Sequence, residues 1–203
     1  VWLVHLTGEE FPADCLGARA LASSLLRRDL CLKSPDDSVV DLSKTVVTGV
    51  YVLDMIAHNK DSDRNVFQIA PGEGQGSAHL AWLAHQANRA WNAGTTRWNE
   101  DPGRRAGKPP LRGGSMPGPF PHLPLRGEIR TEWEPRSALY NTDGQIFSDH
   151  GIPVVLFMEN YDINRCGYHD LNDVMAEIDL DYGAAVAAIA IEAVARAAVE
   201  TKR

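Results

Sequence analysis

Three places in this 203-residue chain gather side chains that bind metals, and each follows a short apolar run. Glu9 and Glu10 follow Val1-Trp2-Leu3-Val4-His5-Leu6 through Thr7-Gly8. Asp54 closes Val50-Tyr51-Val52-Leu53. His169 lies in Gly167-Tyr168-His169-Asp170-Leu171-Asn172-Asp173, downstream of the run at 153–158. A carboxylate at the end of a buried strand needs a cation or several donors, because burial penalises an unpaired charge. Carboxylate and imidazole together suit Zn²⁺ or a similar divalent ion. Neighbouring side chains on an extended segment point opposite ways, so Glu9 and Glu10 can face a water and a metal respectively. Each place alone also has a plain structural reading. An acidic pair suits a helix N-terminus, and a lone histidine is more often a hydrogen-bonded surface residue. Their coincidence beyond strand ends is what points to a site, and open α/β sheets keep their sites at that edge.

The elements that would position them are legible in the patterning. Nearly continuous apolar runs at 1–6, 46–53, 66–70 and 153–158 predict strands covered on both faces. Helical spacing places Leu80, Leu83, Ala84 and Ala87 on one face of 75–91, and Tyr182, Val186, Ile189, Ala193 and Ala197 on one face of 181–200. A third helix is predicted at 15–28, rich in Leu and Ala. Alternating strands and helices predict a single α/β domain over 1–203, a three-layer sandwich with a mostly parallel or mixed sheet flanked by helices. Residues 99–124 fit neither template. They hold most of the prolines, several glycines, and Arg104, Arg105 and Arg112. They read as a long loop insertion, either a wall of the site or a plain surface loop. No internal repeat is visible.

Composition bounds the function. An apolar fraction of 44% allows a sizeable core, and a net charge of −7 argues against nucleic acid or anionic membrane as the main partner. No apolar run reads as a bilayer span, and no leader is visible. The chain has no initiator Met and starts inside a predicted strand, so it reads as a mature or truncated product with an upstream part missing. Cys15, Cys31 and Cys166 are odd in number with no CxxC pair, which argues against a zinc finger or disulfide scaffold and leaves one bridge open.

The order Gly8-Glu9-Glu10, Leu53-Asp54-Met55-Ile56, Gly151-Ile152-Pro153, Tyr168-His169, with Asp173 and Ile178-Asp179 following, resembles the co-catalytic di-zinc aminopeptidases of clan MH. Bacterial leucyl aminopeptidases and glutamate carboxypeptidase-like enzymes belong to that group. The resemblance covers the C-terminal part of such a catalytic domain. It implies a zinc-dependent exopeptidase that hydrolyses the terminal peptide bond of a peptide substrate. It implies Glu9 as general base, Glu10 and His169 on one zinc, Asp54 on the other, and Tyr168 at the developing oxyanion. It implies two zinc ions in the intact enzyme, with one or none held by this chain alone, and an extracellular or periplasmic location.

The departures are specific. The family's upstream His-x-Asp and bridging Asp have no counterpart here, so a missing N-terminal segment or a partner chain would have to supply those ligands. The stretch Phe11-Pro12-Ala13-Asp14-Cys15 lengthens the approach to the helix after the Glu pair. Ser148-Asp149-His150 is offset from the family's Ser-Asp-His, whose place Thr142-Asp143-Gly144 takes. Asp143 and Asp149 therefore read as structural, and no G-x-S-x-G elbow supports a serine hydrolase. Tyr161 and Arg165 read as candidate substrate contacts, while His58 and the tryptophans Trp82, Trp91 and Trp98 read as supporting residues. Rival readings are a non-catalytic interaction domain of the same fold, or a carboxypeptidase or cyclase variant.

Overall fold

Residues 66–71 and 154–159 are apolar at almost every position, and both become strands buried along their whole length. A strand so placed needs cover on two faces. The structure, a computed structural model, describes residues 1–60, 63–100, 123–161 and 167–200, with the backbone alone at 98–100. In chain order the first elements are α1 (Leu16–Arg27), β1 (Cys31–Lys33), β2 (Val39–Asp41), β3 (Val50–Leu53), β4 (Val66–Pro71) and α2 (Gly74–Glu100). Then come β5 (Arg126–Ile129), α3 (Gly144–Asp149), β6 (Val154–Glu159) and α4 (Leu180–Glu200).

Four strands make one mixed sheet in the order β3-β6-β4-β5. β3 runs parallel to β6, β6 antiparallel to β4, and β4 parallel to β5. The pleat sends alternate side chains of β6 to opposite faces. Val155 and Phe157 join Phe67, Ile69 and the apolar stripes of α2 and α4 in one core. Val154, Leu156 and Met158 join Ala18, Ala22, Ile146 and Phe147 under α1 and α3 in the other. The chain is therefore an α/β protein whose mixed sheet is flanked by helices, consistent with the predicted three-layer sandwich.

The predicted helical faces are the buried ones. Leu80, Leu83, Ala84 and Ala87 are buried on α2, and Tyr182, Val186, Ile189 and Ala193 on α4. α4 is also long and apolar enough to cross a bilayer by length and composition, contrary to the reading of the sequence. Its buried face and the Glu192–Arg196 pair, 2.7 Å apart, mark it as a core helix.

The first predicted strand is not formed. Residues 1–6 take no regular secondary structure and pair with none of the described strands, and Val1 and Leu3 are 96% and 87% exposed. Apolar content alone makes no strand, since backbone N–H and C=O groups need a neighbour to take them. The second run shrinks to β3, leaving 46–49 in a loop. The β1–β2 hairpin was invisible because all its positions are exposed and its stretches are three residues long. Cys15 and Cys31 are free thiols, and Cys166 lies outside the described residues. Within the predicted 99–124 loop, 101–122 lie outside the described residues, and α2 runs on to Glu100.

Candidate functional site

The Glu pair is set by the start of α1. A helix leaves its first N–H groups without intrahelical partners. Here the carbonyls of 7–9 take them: Gly17 N–H donates to Thr7 at 2.9 Å, Leu16 N–H to Gly8 at 2.8 Å and Cys15 N–H to Glu9 at 3.0 Å. The approach is so close that a Cβ on Gly17 would lie 2.8 Å from the Thr7 backbone N and O. The Glu10 carbonyl accepts from Ala13 and Asp14 and closes the turn. Glu9 and Glu10 thus sit on a turn braced by a helix rather than at the end of a strand, which corrects the sequence reading.

Asp54 stands where it was expected, one residue beyond β3. Its N–H donates to the Phe157 carbonyl at 3.2 Å, extending the parallel ladder past the strand. Glu159 ends β6 beside it and is 1% exposed, with Oε2 accepting from the His58 N–H at 2.7 Å. His169 comes from the loop after β6. Its ring stacks on Tyr168 with centroids 4.1 Å apart, and Tyr161 meets Tyr168 edge-on at 5.4 Å. His169 Nε2 lies 3.0 Å from Glu10 Oε1.

One cavity of about 270 Å³ is lined by Glu9, Glu10, Asp54, Tyr161, Tyr168 and His169, together with Glu159, Asp173 and Glu177. Six carboxylates line it and no Lys or Arg stands among its described lining residues, although Lys60 pairs with Glu177 at 2.7 Å. Arg165 lies outside the described residues. The Ser148-Asp149-His150 run does not reach the cavity: Ser148 Oγ accepts from the Glu73 N–H at 2.9 Å, and His150 Nδ1 lies 2.7 Å from the Ile146 carbonyl.

The electrostatics follow from crowding. Burial pushes the Glu9 carboxyl up to about 7, helped by the charges of Asp54, Glu10 and Asp143 and opposed by His169. Asp54 is raised by burial, then by Asp143 and Glu10. Asp143 is raised by burial, with the neighbouring Cys15 thiol opposing. The Cys15 thiol is itself pushed up to about 12, by burial first and then by Asp143 and Glu9. Left-handed non-glycine residues occur in each loop bearing the site: Asp14 and Cys15, Met55, and His169. Such conformations cost about 1–3 kcal/mol each and persist where surrounding structure holds them.

Two residues that belong to this neighbourhood were not singled out for it. Glu159 carries the same signal as Asp54, a carboxylate closing an apolar strand, and was passed over. Asp143 was read as structural, yet its charge acts on both Glu9 and Asp54.

The donors fit a divalent metal in type. They are carboxylates and an imidazole, and Asp143 Oδ1 is buried without a hydrogen-bond partner among the described residues. They do not fit in number. No group of three or more His, Cys, Asp or Glu side chains that could hold a metal ion occurs among the described residues. A catalytic zinc takes three protein ligands, and among the described cavity residues the Glu10–His169 pair is the one in contact.

No protein-family model matches the chain, and no curated protein matches it. Among solved structures, the chain is similar to the LapA aminopeptidase of Legionella pneumophila, with a TM-score of 0.48 and 12% identity. The match covers 89% of this chain and 36% of that one, so the chain spans about a third of that enzyme's length.

Proposed function

We propose that this chain forms part of the catalytic domain of an exopeptidase, one that removes the N-terminal residue of a peptide with Glu9 as the general base. The observation that carries the reading is the meeting of Glu9, Glu10, Asp54, Tyr168 and His169 on one acidic cavity from three separate stretches of sequence. A site without such chemistry has no need to gather carboxylates that repel one another. Glu10, not Glu9, takes the imidazole, which leaves the Glu9 carboxylate for proton transfer.

In this reading Glu9 takes a proton from the attacking water and returns it to the leaving amine. The Tyr168 hydroxyl donates to the oxygen of the carbonyl under attack. The acidic lining receives the substrate's α-ammonium group, and Tyr161 walls the pocket. Glu10 with His169, and Asp54, are the residues that would hold metal ions. The ions, when bound, would supply a water of lowered pKa and a polarised carbonyl. The remaining donors would come from beyond the described residues, on the same polypeptide or on a partner.

The test is hydrolysis of an unblocked aminoacyl-arylamide and its N-acetyl counterpart by the full protein and by Glu9→Gln. The unblocked substrate is cleaved and the acetylated one resists. Glu9→Gln lowers kcat by about 10²–10⁴-fold with KM little changed. Cleavage undiminished in Glu9→Gln would remove Glu9 as the base. Failure to cleave either substrate would leave a non-catalytic domain.

A further inference from the structure

Two long polar side chains lie buried in the sheet and take no part in the proposed reaction. Gln68, on β4, is 0% exposed, and Arg130, one residue past β5, is 2% exposed. The Arg130 N–H donates to the Ile69 carbonyl at 3.0 Å, so Arg130 prolongs β5 and shares a face with Glu128. Gln68 is paired in register with Glu128 of β5 on one side and with Met158 of β6 on the other. These side chains form a row on the face covered by α1 and α3, and Met158 at its end lines the cavity.

Burying an amide or a charge is costly unless its polar atoms find partners. Here the partners lie toward the cavity. Gln68 Oε1 accepts from the Ala138 N–H at 3.0 Å, and its Nε2 donates to the Glu159 carbonyl at 3.2 Å. Arg130 Nη2 donates to Asn160 Oδ1 at 2.5 Å and to Glu128 Oε2 at 3.0 Å, while Nη1 donates to the Arg136 carbonyl at 3.5 Å. Both side chains thus join the end of β6, at Glu159 and Asn160, to residues 136–138. Ala138, Glu159 and Tyr161 line the cavity, whereas Gln68, Arg130 and Asn160 do not. On the other flank of β6 the Glu159 N–H donates to the Met55 carbonyl at 3.0 Å, so this strand end is held from both sides. Well-packed apolar side chains often replace a buried ion pair without loss of stability, so what the polar residues add is position.

We infer that Gln68 and Arg130 are positioning residues: together they clamp the end of β6 to residues 136–138 and so set the cavity wall of Ala138, Glu159 and Tyr161 against which substrate binds. Neither touches substrate. Glu9, Glu10, Asp54, Tyr168 and His169 come from other stretches, so the clamp governs affinity more than turnover. For its kinetic readout the inference rests on the peptidase reading, whereas its exchange readout does not.

The experiment is amide hydrogen exchange by NMR, with steady-state kinetics, on the full protein and on Gln68→Met, Asn160→Ala and Arg130→Lys. Gln68→Met keeps the length of the side chain and removes both of its bonds. It is expected to speed exchange of the Ala138 amide at least about tenfold. The Gly72 amide, bonded in the same sheet to the Val154 carbonyl at 2.9 Å, is the reference and stays unchanged. KM rises at least about fivefold while kcat stays within about twofold. Asn160→Ala removes no buried charge and moves both readouts the same way. Arg130→Lys keeps the charge but loses the planar fork that reaches Glu128 and Asn160 together, and it matches Asn160→Ala. A merely structural role would lower the folded fraction, and with it the apparent kcat, while leaving KM where it was. If Gln68→Met does not fold, Asn160→Ala decides alone. Unchanged exchange at Ala138 in the folded variants, or an unchanged KM in an active enzyme, would overturn the inference. A parent protein without peptidase activity would remove the peptidase reading while exchange still decides the clamp.

Discussion

At the scale of single residues, the site is a contest between like charges and the few groups that offset them. Burial and the charge of Asp143 raise both Glu9 and Asp54, Asp54 adds to the rise of Glu9, and His169 is the imidazole that works against this. Its contact with Glu10 at 3.0 Å is where the proposed reading would seat a divalent ion first. After equilibration with zinc and desalting, the full protein is expected to retain metal by elemental analysis. Glu10→Ala and His169→Ala should each release the same ion. Equal zinc in all three proteins would show that the pair binds none. Glu9→Gln should keep its metal while losing turnover, because a general base that also bound metal would have its basicity consumed.

At the scale of elements, the Glu pair is held by the start of α1 and Asp54 by the end of β3, whereas Tyr168 and His169 lie in the loop after β6. Next to the cavity-lining Glu177 and Ile178, Asp179 caps α4 by accepting the Tyr182 N–H at 3.0 Å. Asp179→Ala should cost about 1 kcal/mol, read as a lower denaturant midpoint. Its charge has a separate effect. Burial alone would raise the carboxyl, but the Asn59 amide, the Tyr182 N–H and Arg64 outweigh it and hold it below its ordinary value of 3.8. A pKa depressed on folding adds stability above the unfolded value and loses it as pH falls through the folded one. Asn caps nearly as well as Asp, so Asp179→Asn isolates the charge. The stability gap between the parent and Asp179→Asn should be widest near neutral pH and close below about pH 4. A gap that widened in acid would reverse that assignment.

At the scale of the whole molecule, two cores on opposite faces of one sheet keep three distant stretches of sequence on a common edge. Phe157 is fully buried in the larger core and stacks on Phe67 with ring centroids 5.9 Å apart. Phe157→Ala should cost about 3–5 kcal/mol, a large share of a total of about 5–15 kcal/mol. Equilibrium denaturation would show it, and a loss under about 1 kcal/mol would mean that the core collapses around the gap. Asp54 follows the strand paired with β6, so its position depends directly on this packing.

The sequence by itself determined the buried strands, the long helices and the identity of six cavity-lining residues. Burial on both faces leaves continuous apolar runs, helices leave 3.6-residue stripes, and metal-type ligands after such runs are chemically conspicuous. Only the tertiary structure decided that 1–6 finds no ladder among the described strands. It alone placed Glu9 and Glu10 on a turn braced by α1, and brought Asp143 and Glu159 to the same neighbourhood as Asp54. Local pattern records which residues can be buried or charged, whereas pairing and proximity depend on what the rest of the chain brings alongside.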